Sequence, residues 1–343
     1  MRRGLLLALT LGLHPLSAQD VGVEIDRLPQ AVTQVKRDQL IIELPAMAVP
    51  ANGMKGTPLY RVTIPFDASL YAFTVRVLDA SGRPVPRDRL HHIIMHDANR
   101  RGLFAPVALP VFGASKDSPD LALPKYLMGL PLPAGGRYLL AAMFMNPDHQ
   151  PATFRVQVIF SVRRSGRVLP LFRVYPWAVD AKSPLGSEGG RHDFDLPIGR
   201  FCQSWEGSPQ IGGRVVGIAG HAHDYATKIE IVDVTSGKTI WRQVPIRDAV
   251  GRVLAIPSTR FDRWYRLGIR IESSHRYRVR VCYDNPTGAI IPFGGMGSVM
   301  GLIAPDRGVA WPRLDTSDSI YQANVRNLLL NVGGMPMRGH DHE

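Results

Sequence analysis

Cysteine is scarce: Cys202 and Cys282 are the only two in 343 residues. Neither sits in a Cys-x-x-Cys arrangement, which leaves a thiol redox motif or a zinc ribbon without support. An oxidising compartment would allow the two to bridge, but the sequence does not bring them together in space. Long apolar runs are also missing: beyond the N terminus, nothing approaches the roughly 20 residues that cross a bilayer as a helix. No Gly-x-Ser-x-Gly elbow occurs, removing the usual mark of a serine hydrolase. No long stretch shows convincing helical periodicity. Acidic residues are outnumbered, 29 against 41 Lys and Arg, so the formal net charge is +12. Such an excess can attract nucleic acid, anionic membrane or an acidic partner. The arginines are dispersed rather than clustered, however, so the charge reads as a solvated surface.

The N terminus explains part of that charge. Met1-Arg2-Arg3, the apolar run Gly4 to Leu13 and the small residues up to Ala18 describe a secretory signal peptide over residues 1–18. Its loss lowers the net charge to +10 and marks the mature chain as exported, secreted or periplasmic, with no membrane span expected. Export takes nucleic acid off the list of expected partners. The mature length, about 325 residues, predicts two domains, because single cores stop growing near 250–300 residues.

What is abundant is strand signal. Tyr60-Arg61-Val62-Thr63-Ile64, Phe154-Arg155-Val156-Gln157-Val158 and Tyr277-Arg278-Val279-Arg280-Val281 alternate apolar and polar residues at period two. That pattern suits strands with one face on a core and one in water. Gly and Pro total 61 residues, frequent enough to punctuate many short strands. The breaker-rich segment Asp180 to Gly190 is the best linker. We therefore expect an all-β chain of two tandem jelly-roll or β-sandwich domains, over residues 50–178 and 195–330. The tail Gly339 to Glu343 holds two histidines and reads as a frayed, solvated end.

Three motifs carry chemistry. His221-Ala222-His223 puts two imidazoles on one face of a strand, about 6.5–7 Å apart along the chain, where both can reach one cation. Imidazole suits copper, zinc, iron or nickel. In Leu90-His91-His92-Ile93-Ile94-Met95-His96 the neighbouring histidines face opposite ways on a regular strand and share a metal only at a bulge or strand end. His96 then falls on the face opposite His91. The third motif joins Cys282-Tyr283-Asp284-Asn285-Pro286-Thr287-Gly288 to Gly294-Gly295-Met296 and Met300. A methionine thioether is a soft ligand that selects Cu(I), although most methionines only fill cores.

In this order the motifs resemble the copper type II, ascorbate-dependent monooxygenases, the family of the peptidylglycine and dopamine hydroxylases. The resemblance covers roughly residues 55–305. It implies two jelly-roll domains with one copper each, facing each other across an open, solvent-filled cleft. The oxygen-activating copper would be held by His221, His223 and Met300, with Met296 as an alternative because Met300 follows Gly-Gly one residue early. His91 and His92 would supply two ligands of an electron-transfer copper. In bacterial relatives the third is a histidine in a strand of the type Tyr-x-x-x-x-His-Tyr-His-Asn-Pro. Here Met143 occupies its place, and Met145 lies two residues on. Ascorbate or another external reductant would be a co-substrate.

Other positions depart from the family. Ala219 stands where peptide-hydroxylating members carry a carboxylate-clamping arginine, and Leu302 and Ala304 replace an asparagine and a tyrosine. C-terminal glycine peptides are thus not the expected substrate, which stays an unknown small molecule or peptide. Each cysteine matches half of a family disulfide, so a Cys202–Cys282 bridge would be new. The leading expectation is a copper-dependent monooxygenase. The competing readings are a non-catalytic periplasmic copper protein, a carbohydrate- or protein-binding β-sandwich pair with incidental histidines, and a zinc hydrolase of His-x-His plus a carboxylate, for which the adjoining Asp224 should point off the opposite strand face.

Overall fold

The computed structural model describes residues 24–115, 120–164, 170–183, 192–263 and 266–330. The signal-peptide residues 1–18, the tail from Gly339 and the linker residues Pro184 to Gly190 lie outside them. The architecture is all-β, as the alternation predicts.

The first half is a sandwich. Its larger sheet runs through Val32–Lys36, Gln39–Glu43, Ala152–Arg164, Ala68–Asp79 and Met128–Leu132. Its smaller sheet runs through Gly53–Gly56, Tyr138–Asn146, Leu90–Arg101 and Ala108–Ser115. Alternation decides which face is buried: Phe154, Val156, Val158, Phe160 and Val162 point inward from one strand. Phe112 of the smaller sheet meets Phe73 and Phe160 of the larger at ring distances of 5.1 and 5.2 Å.

The second half repeats the plan. One sheet orders Tyr175–Asp180, Gly297–Pro305, Gly213–Ala222 and Thr259–Arg260. The other orders Gly199–Gly207, Tyr277–Asn285, Ala226–Asp233 and Lys238–Gln243. Tyr175–Asp180 precedes most of the linker segment, yet all six of its residues pair with Gly297–Pro305. Cys202 and Cys282 stand directly opposite on adjacent strands, Cα atoms 4.1 Å apart, and form a disulfide.

One continuous apolar core runs through both halves. Phe104, beyond the His91 strand, packs against Trp177, Trp205 and Tyr277 of the second half. Trp311 stacks on Tyr175 at 4.4 Å and donates its indole N–H to the Arg101 carbonyl.

The sequence shows no convincing helical periodicity, yet the described residues include a short helical turn over 24–27 and the α-helix Ser319–Leu330. Asp318 caps it, its carboxylate accepting the Ile320 N–H at 2.8 Å. Tyr321 and Val325 bury against Leu59, Ala98 and Leu139 of the first half. At twelve residues the helix holds too few turns for its periodicity to stand out.

Candidate metal centres

The second-half site follows from plain alternation. Ala222 is buried in the core, so His221 and His223 leave the chain on the other side. Their rings sit edge to face with centroids 5.6 Å apart. In the antiparallel register Ala219 opposes Met300 and His221 opposes Ser298. Directly opposed residues share a face, so Met300 is the diagonal neighbour of His221 and 37% exposed. On its other side Met300 opposes Ala178, so the row Ala178–Met300–Ala219 carries no charge.

Past the strand end, the His223 N–H donates to the Met296 carbonyl at 3.2 Å. The Tyr283 hydroxyl clasps the same turn, accepting the Met296 N–H at 2.9 Å and donating to the Met296 carbonyl. Burial lifts the Tyr283 pKa well above the usual phenol range, so it keeps its proton. Tyr283 was missed as a site residue, although its signal is legible: it ends the apolar phase Tyr277, Val279, Val281 of its strand. Asp224, weighed as a zinc ligand, is committed elsewhere, its carboxylate accepting the Val253 N–H at 2.9 Å.

The first-half site depends on an irregularity. Met143 pairs with His92, but the next residue, Phe144, pairs with Leu90, leaving His91 as the extra residue of a β-bulge. The bulge lets adjacent histidines converge: His91 Nδ1 and His92 Nδ1 are 2.9 Å apart. Met143 shares the face of His92 because it lies directly opposite. A Cβ placed on Gly56 would lie 3.9 Å from the Met143 terminal methyl, so that methyl lies near the strand away from His92. Pairing is regular from His92 to Asp97, so His92 and His96 share one face.

His92 is half-buried, and desolvation, with the nearby charges of His91 and His221, holds its pKa down to about 3. Burial and His192 hold His96 down to about 4. His92 thus lies within electrostatic range of His221, and His96 within range of His192. His192 Nδ1 lies 2.8 Å from Asp180 Oδ2, and the other Asp180 oxygen accepts the Ser298 hydroxyl. Burial works against charge on His192, but the Asp180 hydrogen bond and charge raise its pKa overall.

Among the described residues, no three His, Cys, Asp or Glu side chains are placed to hold a metal ion. Each candidate set is a histidine pair with a methionine at a neighbouring register position, Met143 opposite His92 and Met300 diagonal to His221. Nitrogens about 3 Å apart match two ligands of one ion with bonds of roughly 2.0–2.1 Å. Two imidazoles with a thioether is a donor set for copper rather than for a hard cation.

No family model matches the chain, and no curated protein matches it. Among solved structures it is similar to the major capsid protein P2 of bacteriophage PM2, with 8% identity, 78% of this chain and 100% of that one covered, and a TM-score of 0.35. It is also similar to N-glycanase F, with 8% identity, 80% and 97% covered, and a TM-score of 0.40. A third is the Sulfolobus turreted icosahedral virus protein, with 10% identity, 89% and 100% covered, and a TM-score of 0.30. Likenesses at these scores carry no conclusion about function.

Proposed function

We propose that this is an exported copper protein of the monooxygenase type, with His221, His223 and Met300 as ligands of an oxygen-activating copper and His91, His92 and Met143 as ligands of a second. The observation that carries this reading is the bulge at His91, which brings two adjacent imidazoles together opposite a methionine. A bulge is a conformational choice, and at this position it assembles donor atoms. Copper in such sites would supply one-electron redox chemistry with dioxygen and an external reductant such as ascorbate.

The chain's own residues supply the rest. The depressed pKa keeps His92 neutral, leaving its nitrogen lone pair available at neutral pH. Tyr283 fixes the Met296 turn and through it the backbone of His223. The uncharged row Ala178–Met300–Ala219 offers no cation for a substrate carboxylate, so the fitting substrate is uncharged and apolar near the reacting carbon. Bringing Met143 onto the histidines needs only a side-chain rotation, because its backbone position is already opposite His92. The second reading, a non-catalytic Cu(I)-binding protein in the same compartment, is favoured by Met143 in place of an imidazole, since thioether ligation suits Cu(I).

Copper stoichiometry of the reduced protein tests the proposal. Wild type is expected to bind two Cu(I), and the variant His221→Ala with His223→Ala one. Absence of bound copper in wild type would sink both readings. Two coppers without reductant-dependent oxygen consumption would leave the binding protein and remove the enzyme.

A further inference from the structure

The densest exposed apolar group on the second half lies on a hairpin that belongs to neither of its main sheets. Ile246–Arg247 and Val253–Ala255 pair only with each other. Val244, Ile246, Val250 and Leu254 are each more than half exposed. Their positions have a pattern: Val244 and Ile246 lead into the turn, Val250 sits at its tip, and Leu254 is the extra residue of a bulge on the returning strand.

The hairpin is built to hold its shape. Asp248 accepts the N–H groups of Val250 and Arg252 at 3.1 and 2.8 Å, and its own N–H donates to the Arg252 carbonyl. Gly251, at φ +89°, closes the turn, and a Cβ there would strike the Tyr225 ring at 2.7 Å. Val253 and Ile256 root the base in the core. Tyr225 donates its N–H to the Gly251 carbonyl, and Asp224 accepts the Val253 N–H. The two residues that follow His223 thus carry the hairpin.

We propose that this hairpin is an interfacial contact for an anionic lipid surface. Apolar side chains occur on both strands and at the tip, an arrangement that one flat protein face would not cover but a fluid headgroup layer does. Arg247 and Arg252 stand exposed among them; the hairpin's one acidic side chain, Asp248, accepts two turn N–H groups and pairs with Arg252 at 3.9 Å. Apolar tips flanked by arginines on a chain whose net charge is +10 after loss of residues 1–18 complement a negatively charged bilayer. Docking in this way needs no spanning helix, and none is found among the described residues. The inference does not depend on metal at the histidines.

The test is co-sedimentation of the full mature chain with vesicles of phosphatidylethanolamine and phosphatidylglycerol, against vesicles of phosphatidylcholine alone. Binding to the anionic vesicles is expected, weakening with salt. Val250→Asp with Leu254→Asp should lower it at least about tenfold. Arg247→Gln and Arg252→Gln should lower it roughly fivefold each. All four positions are exposed, and unchanged near-ultraviolet circular dichroism would show the variants folded. A tryptophan at the tip, Ala249→Trp, should shift its emission to the blue on mixing with anionic vesicles. Failure of wild type to sediment overturns the proposal, and so does equal sedimentation of the Val250→Asp, Leu254→Asp variant. A concentration-dependent dimer that this variant abolishes would assign the hairpin to a second copy and overturn it equally.

Discussion

The two histidine pairs are brought together by opposite routes. His221 and His223 need only the two-residue period of a strand, with Ala222 filling the core between them. His91 and His92 need the period to be broken by one residue. The difference extends to their surroundings. The second-half pair sits at a strand end that bonds to the Met296 turn, which is gripped by Tyr283, next to the disulfide-bonded Cys282. The first-half pair lies within a strand paired on both sides, where desolvation and neighbouring imidazoles hold His92 neutral. A site made by alternation relies on external braces, whereas one made by a bulge draws its order from its own sheet.

The contrast can be broken at the disulfide first. Cys202→Ser with Cys282→Ser removes a cross-link spanning a sequence separation of 80 residues. The expected loss is about 4 kcal/mol of stability, read by urea denaturation. Copper at His221 and His223 should weaken while the first-half site keeps its affinity. Equal weakening of both would show that the braces are shared.

Tyr283→Phe is the next largest. It deletes two buried hydrogen bonds to the Met296 backbone and should cost about 1–3 kcal/mol. Copper titration should again show the effect confined to the second-half site.

Acid should act on the first half. The folded pKa values of His92 and His96, about 3 and about 4, lie below their unfolded value of 6.5. Their stabilising contribution is fully present above pH 6.5. It falls as the pH drops toward 4 and 3, because the unfolded chain takes up protons that the folded histidines refuse. His192 has the opposite sign, its pKa being raised, so its contribution is full in acid and declines as the pH rises. Metal-free protein should therefore melt at lower temperature on acidification from pH 7 to 5. His96→Gln should flatten that slope.

The smallest effect on stability is expected of Met143→Leu, below about 1.5 kcal/mol because volume is conserved. Its informative readout is Cu(I) affinity at the first-half site, which should fall if the thioether is a ligand. Met143→His should instead raise the relative affinity for Cu(II).

How legible was all this in the chain? The strands Ala152–Arg164 and Tyr277–Asn285 read directly from alternation, since burying one sheet face forces that pattern. His221-Ala222-His223 was legible for the same reason. The convergence of His91 with His92 was not, whereas the common face of His92 and His96, four residues apart, follows from alternation. A bulge is set by pairing with a partner strand, here Tyr138–Asn146, and the sequence near His91 does not name that partner. The grouping of His192, Asp180 and Ser298 was missed because its members lie up to 118 residues apart. The helix Ser319–Leu330 was missed because its apolar stripe gains meaning only against Leu59 and Leu139.

By itself, then, the amino-acid sequence determined the all-β class, the two-residue rhythm of the strands and the shared face of His221 and His223. These follow from local stereochemistry and from the need to bury apolar side chains. Tertiary structure alone decided that Cys202 meets Cys282, that Met300 lies diagonal to His221, and that a bulge joins His91 to His92. It also brought His92 within electrostatic range of His221. Each of these depends on strand register and on packing between halves, and those are settled by contacts between residues far apart in the chain.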